Sequence, residues 1–177
     1  YELSITTPGG HSSTPPEDNT IGSLAKAIVK LENSQFPYKS IPVLEEQIAS
    51  FGPELSFSSK FIFANNWLFK SFILEGLNAH TTTAPTIISG GVKDNVIPTR
   101  ATATVNFRVM TGETTDQVKN HIIETIKDDR ITVEAVRNIN EPSKVSDYTS
   151  NSYKVIQKTI KQLYPNIIVS PGLISAG

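Results

Sequence analysis

Cysteine is absent from the 177-residue sequence. That excludes disulfides and thiolate chemistry, although it leaves the compartment open. No apolar run approaches the roughly 18 residues that a membrane-spanning helix requires, so no span is expected. The opening Y-E-L-S-I-T-T-P lacks the basic segment and apolar core of a signal peptide. It also lacks an initiating methionine and begins directly in a strand pattern, so the chain reads as a piece of a longer protein. A formal charge of −1 argues against nucleic-acid binding, which draws on a concentrated basic surface. The histidines His11, His80 and His121 stand far apart with no H-x-x-x-H or H-x-H pair, so a zinc site made by this chain alone is not expected. Neither a phosphate-binding P-loop nor a G-x-S-x-G serine elbow occurs.

What is present centres on residues 90–109, G-G-V-K-D-N-V-I-P-T-R-A-T-A-T-V-N-F-R-V. Ala101, Ala103, Val105, Phe107 and Val109 alternate with Thr102, Thr104, Asn106 and Arg108, the two-residue period of a half-buried strand. A glycine pair, Asn95 and Pro98 shape the loop before it. An earlier strand is expected over residues 1–7, with Leu3 and Ile5 inward. Asp18 or Asn19 then caps a helix with Ile21, Leu24, Ala25, Ile28 and Leu31 on its stripe. Residues 80–90 read as a Thr-rich strand. Thr114 and Gln117 have capping-box spacing, opening a helix that buries Val118, Ile122, Ile123 and Ile126. Ile131, Val133 and Ala135 alternate in a last strand. The order is the βαββαβ of an α+β, ferredoxin-like antiparallel sheet covered by two helices on one face.

Two segments fall outside that order. Residues 34–79 are broken by Pro37, Pro42 and Pro53 and read as a helical insertion after the first helix. Within it, residues 61–77 predict one helix, apolar over most of its circumference, which must bury against a core, a partner or a substrate channel. After a polar stretch at 141–150, Tyr153, Ile156, Ile160 and Leu163 mark a further helix, and Ile167–Val169 reads as a short buried strand. This tail is expected to be a C-terminal stub of an α/β catalytic domain. The boundaries are therefore 1–143 for the sheet domain, with 34–79 inserted, and 144–177 for the start of the second.

Three residues stand out chemically. His11 lies in G-G-H-S-S, where glycines clear space and the following prolines stiffen the loop. Such an imidazole suits hydrogen bonding to an oxyanion or acid catalysis, and equally a bond to a backbone carbonyl. Asn95 offers an amide and Arg108 a guanidinium, both suited to a carbonyl or carboxylate. An ordinary turn asparagine and a surface ion-pair arginine remain open readings. His121 is expected on the solvated side of its helix. The acidic pairs Glu45-Glu46 and Asp128-Asp129 are expected to be solvated surface.

Three stretches in order carry a resemblance: G-G-H-S-S-T-P-P-E-D-N-T-I-G, T-T-T-A-P-T-I-I-S-G-G-V-K-D-N-V-I-P and A-T-V-N-F-R-V. They resemble the lid, or dimerisation, domain of the zinc hydrolases that include carboxypeptidase S, aminoacylase, bacterial glutamate carboxypeptidase and desuccinylase. The carboxypeptidase S branch, with its N-acyl amino acid synthase/hydrolase, is similar in the insertion too. The resemblance implies a homodimer formed through the lid and a parent that cleaves an amide beside a free carboxylate, in peptides or N-acyl amino acids. It implies that His11 helps stabilise the oxyanion in a partner subunit's site, that Asn95 contacts substrate near the scissile carbonyl, and that Arg108 grips the carboxylate. Two zinc ions and a general-base glutamate are implied outside this chain, which alone would be inactive. His80 stands where the family has arginine. A stand-alone ferredoxin-like binding or interaction module is the alternative.

Overall fold

The computed structural model describes residues 1–51, 55–136 and 139–173. The chain divides into two units, one made of Tyr1–Pro37 with Thr81–Pro142, the other of Tyr38–His80 with Ser143–Gly177.

The first unit contains β1 (Glu2–Thr6), β2 (Gly10–His11), α1 (Thr20–Asn33), β3 (Thr82–Gly90), β4 (Val96–Ile97), β5 (Arg100–Arg108), α5 (Thr115–Ile126) and β6 (Ile131–Glu134). Four strands form an antiparallel sheet in the order β3-β5-β1-β6, the ferredoxin-like arrangement. The alternation of β5 is realised: Ala101, Ala103 and Val105 are buried beside Leu3 and Ile5 of β1. Leu24, Ala27 and Leu31 of α1 and Val118, Ile122 and Ile126 of α5 close the same core. Each large side chain wholly removed from water there contributes about 1.5–3 kcal/mol.

Local chemistry sets the ends of these helices. The Asn19 side chain accepts the Gly22 N–H at 2.8 Å and caps α1. Thr114 and Gln117 form the reciprocal capping box of α5. The buried stripe of α1 is rotated from the expected one, because Thr20 and Ser23 are buried while Ile21 is exposed. Thr20 goes inward because its hydroxyl has partners there. His121 is likewise half-buried, with Nε2 2.8 Å from the Ser34 carbonyl and its ring 4.1 Å from that of Phe36.

The second unit holds α2 (Pro42–Phe51), α3 (Phe57–Ala64), α4 (Asn66–Gly76) and α6 (Asn151–Leu163). The single helix expected over 61–77 is broken at Asn65, which leaves helical geometry at ψ 39°. Its side-chain Nδ2 donates to the Phe61 carbonyl at 2.8 Å, a local bond that competes with helix continuation. Ile73 and Leu74 are buried, but Phe57, Phe61, Trp67, Leu68 and Phe72 are exposed. The expected strand at Ile167–Val169 is not formed. A strand exists only by sharing its backbone groups with a neighbour, and among the described residues none pairs with it. Instead the Val169 carbonyl accepts from the Gln157 side chain at 3.2 Å.

Candidate functional site

The chain leaves β1 at Thr6 and turns directly against the segment that enters β5. Thr7 N–H donates to the Thr99 carbonyl at 2.9 Å. Gly9 follows with φ +53°, and a Cβ there would lie 2.9 Å from both the Ile97 oxygen and Thr99 Cγ2. Only glycine meets both the left-handed backbone and that close approach without strain. Gly10 and His11 then pair antiparallel with Ile97 and Val96, and Ser12 N–H donates to the Asn95 carbonyl at 3.1 Å. A small two-stranded ladder, β2 with β4, thus ties the His11 loop to the Asn95 loop.

The imidazole itself is oriented by its neighbour. His11 Nδ1 accepts the Ser13 backbone N–H at 3.2 Å and lies 2.9 Å from Ser13 Oγ. An N–H donor directed at Nδ1 requires a lone pair there, so the neutral ring carries its proton on Nε2. His11 and Asn95 are both exposed. The result is an exposed imidazole with an Nε2–H and an exposed side-chain amide, carried on two loops that the ladder joins at one end of the sheet. Such donors suit a carbonyl oxygen that gains negative charge. Ser13 was not singled out by sequence reasoning; the hydroxyl two residues after a loop histidine is the signal that would have found it.

Arg108 sits elsewhere. It closes β5 opposite Thr82, whereas β5 begins at Arg100 opposite Thr6. At about 3.3 Å per residue the run from Arg100 to Arg108 spans roughly 26 Å. The structure therefore brings His11 and Asn95 together and leaves Arg108 at the opposite end of the strand. The extended backbone of β5 separates the two loops from the arginine. The Arg108 end has its own support: the buried Thr81 hydroxyl donates to the Glu113 carboxylate and accepts the Met110 N–H at 2.8 Å. This fixes the chain on both sides of the Thr82–Arg108 pair.

Among the described residues, no group of three or more His, Cys, Asp or Glu side chains is placed to hold a metal ion. No described helix is long and apolar enough to cross a membrane.

Residues 1–132 match the family model of the peptidase dimerisation domain of M20 type. The chain belongs to this family. Probable carboxypeptidase S-like 2 of Dictyostelium discoideum is 41% identical over 99% of this chain, which covers 35% of that protein. The N-fatty-acyl-amino acid synthase/hydrolase PM20D1.1 of Danio rerio is 35% identical over 99% of the chain and 36% of its own length. The chain thus spans about a third of the length of these relatives. Among solved structures, the M20 family metallo-carboxypeptidase Sso-CP2 of Sulfolobus solfataricus is similar with a TM-score of 0.60 at 18% identity, over 98% of this chain and 51% of that one. At that identity the likeness speaks for the fold. The family's description is a peptidase dimerisation domain.

Proposed function

We propose that the chain is the lid and dimerisation domain of a zinc-dependent hydrolase that cleaves an amide bond next to a free carboxylate, in a peptide or an N-acyl amino acid. The names of the relatives, carboxypeptidases and an N-fatty-acyl-amino acid synthase/hydrolase, support that substrate class. Residues 1–143 form the lid, with 34–79 inserted, and 144–177 begin the second segment of the catalytic domain. The two zinc ions and the general base belong to the remainder of the parent protein, and this chain alone does not turn over substrate.

The observation that supports the reading is the β2–β4 ladder, which ties the loop bearing His11, whose neutral ring keeps a proton on Nε2, to the loop bearing Asn95. His11 donates to the oxygen that becomes anionic, and Asn95 contacts the substrate near the scissile carbonyl. Arg108, some 26 Å along β5 by strand length, cannot grip the same small substrate from the same lid. In a symmetric dimer each catalytic centre would instead receive the imidazole and amide from one subunit and the guanidinium from the other, where a bidentate fork suits the free carboxylate.

His11→Ala in the full-length parent tests the proposal. Loss of one oxyanion donor typically lowers kcat by about 10²–10³, so a fall of that order is expected with zinc content and dimer mass unchanged. Near-normal turnover would remove the basis of the reading.

A further inference from the structure

Thr20 is the first residue of α1 and is wholly buried, with 0% of its surface exposed. Its hydroxyl oxygen lies 2.6 Å from the Pro98 carbonyl and 2.5 Å from Thr7 Oγ1. The carbonyl can only accept, so the Thr20 proton goes to Pro98. Thr7 must then donate to Thr20 Oγ1, because each hydroxyl has one proton. One buried oxygen therefore joins the exit of β1 to the segment that connects β4 with β5. His11 stands four residues beyond Thr7, and Asn95 three before Pro98.

These bonds are independent of the β2–β4 ladder, which consists of only two residue pairs, with Gly10, His11 and Val96 exposed. A ladder that short opens readily. Thr20 ties both of its strands to the helix and core at their roots. From this geometry we propose that Thr20 is a positioning residue for the reaction: it sets the relative placement of the His11 imidazole and the Asn95 amide without touching substrate. The inference rests on the oxyanion and substrate roles assigned above.

Thr20→Val in the full-length parent tests this, since valine keeps the volume and branching while removing the hydroxyl. Hydrogen exchange should accelerate in segments 7–13 and 94–99 and stay unchanged in α5 and β6. A displacement on the order of an ångström at reacting groups can cost up to about a hundredfold; a fall in kcat of about tenfold is expected, with KM within about twofold and zinc content unchanged. Thr20→Ser, which restores the hydroxyl, should return both exchange and kcat to near wild type. Wild-type exchange in the two segments of Thr20→Val overturns the proposal. So does faster exchange with unaltered kcat, and so does a serine variant as impaired as valine, which would mark a packing role only. If Thr20→Val does not fold, Thr7→Val removes the outer hydroxyl alone and carries the same comparison. Should His11→Ala prove fully active, the catalytic reading falls separately, while the exchange data still decide whether Thr20 holds the two loops.

Discussion

The two units use apolar residues in opposite ways. In the sheet unit, Leu3, Ile5, Leu24, Leu31, Val105, Val118 and Ile122 are wholly buried. In the helical unit, Phe57 is 88% exposed and Trp67 77% exposed, and α6 has no buried residue at all. The difference lies in patterning. A strand with a polar and an apolar face needs only one cover, and α1 and α5 supply it. Helices α3 and α4 carry aromatic and aliphatic residues around much of their circumference, and contact with each other covers only part. An exposed apolar patch of this size is unusual on a monomer.

The comparison can be broken most directly by truncating one side chain in each unit. Leu24→Ala should lower stability by about 2–5 kcal/mol, the range for emptying a packed core site. Phe57→Ala should change it by less than about 0.5 kcal/mol, as for exposed positions. Urea denaturation of the chain followed by circular dichroism measures both. Equal losses would mean that Phe57 packs in solution and that the contrast is false.

How far the sequence showed this contrast depended on repetition. β1 and β5 were legible because period-two alternation repeats one message several times, and the start of α5 because of its Thr114–Gln117 box, although Ile123, expected on the buried stripe of α5, is exposed. The α1 stripe came out rotated because Thr20 and Ser23 read as polar, although the inward partner of Thr20, the Pro98 carbonyl, comes from residues far along the chain. The break at Asn65 was hidden inside an apolar run, since its cause is one side chain satisfying the Phe61 carbonyl. The tail at Ile167–Val169 has strand composition but no pairing strand among the described residues. His11, Asn95 and Arg108 were singled out as candidates from loop chemistry and motif resemblance. Their partition between two ends of β5 required the register, and the two-residue β2–β4 ladder is too short to leave a pattern.

A smaller effect sharpens the contrast inside the sheet unit itself. Gly9→Ala places a methyl 2.9 Å from the Ile97 oxygen at φ +53°. A left-handed non-glycine residue costs about 1–2 kcal/mol even without the clash. A loss of that size or somewhat more is expected, together with faster hydrogen exchange in β2 and β4. A destabilisation that leaves the exchange of β2 and β4 untouched would show that the close approach is not what holds the loops.

The smallest effect concerns charge, at the turn between α5 and β6. Arg130 donates from Nε to Asp128 Oδ1 at 2.9 Å and from Nη2 to Oδ2 at 2.7 Å. This side-chain bonding is the chief reason the Asp128 carboxyl is held at about 2, below its ordinary 3.8. A carboxylate with a depressed folded value stabilises the native state at pH above its unfolded value and loses that contribution as pH falls through the folded one. The window is therefore from about pH 4 down to about pH 2. An ion pair at the surface is worth no more than about 1 kcal/mol, so the gain above pH 4 is of that size or less. Asp128→Ala should lower stability at pH 7 by this amount and converge with wild type near pH 2. Parallel curves across the window would show that Arg130 does not hold the carboxylate in solution, and that the buried apolar set alone distinguishes the sheet unit.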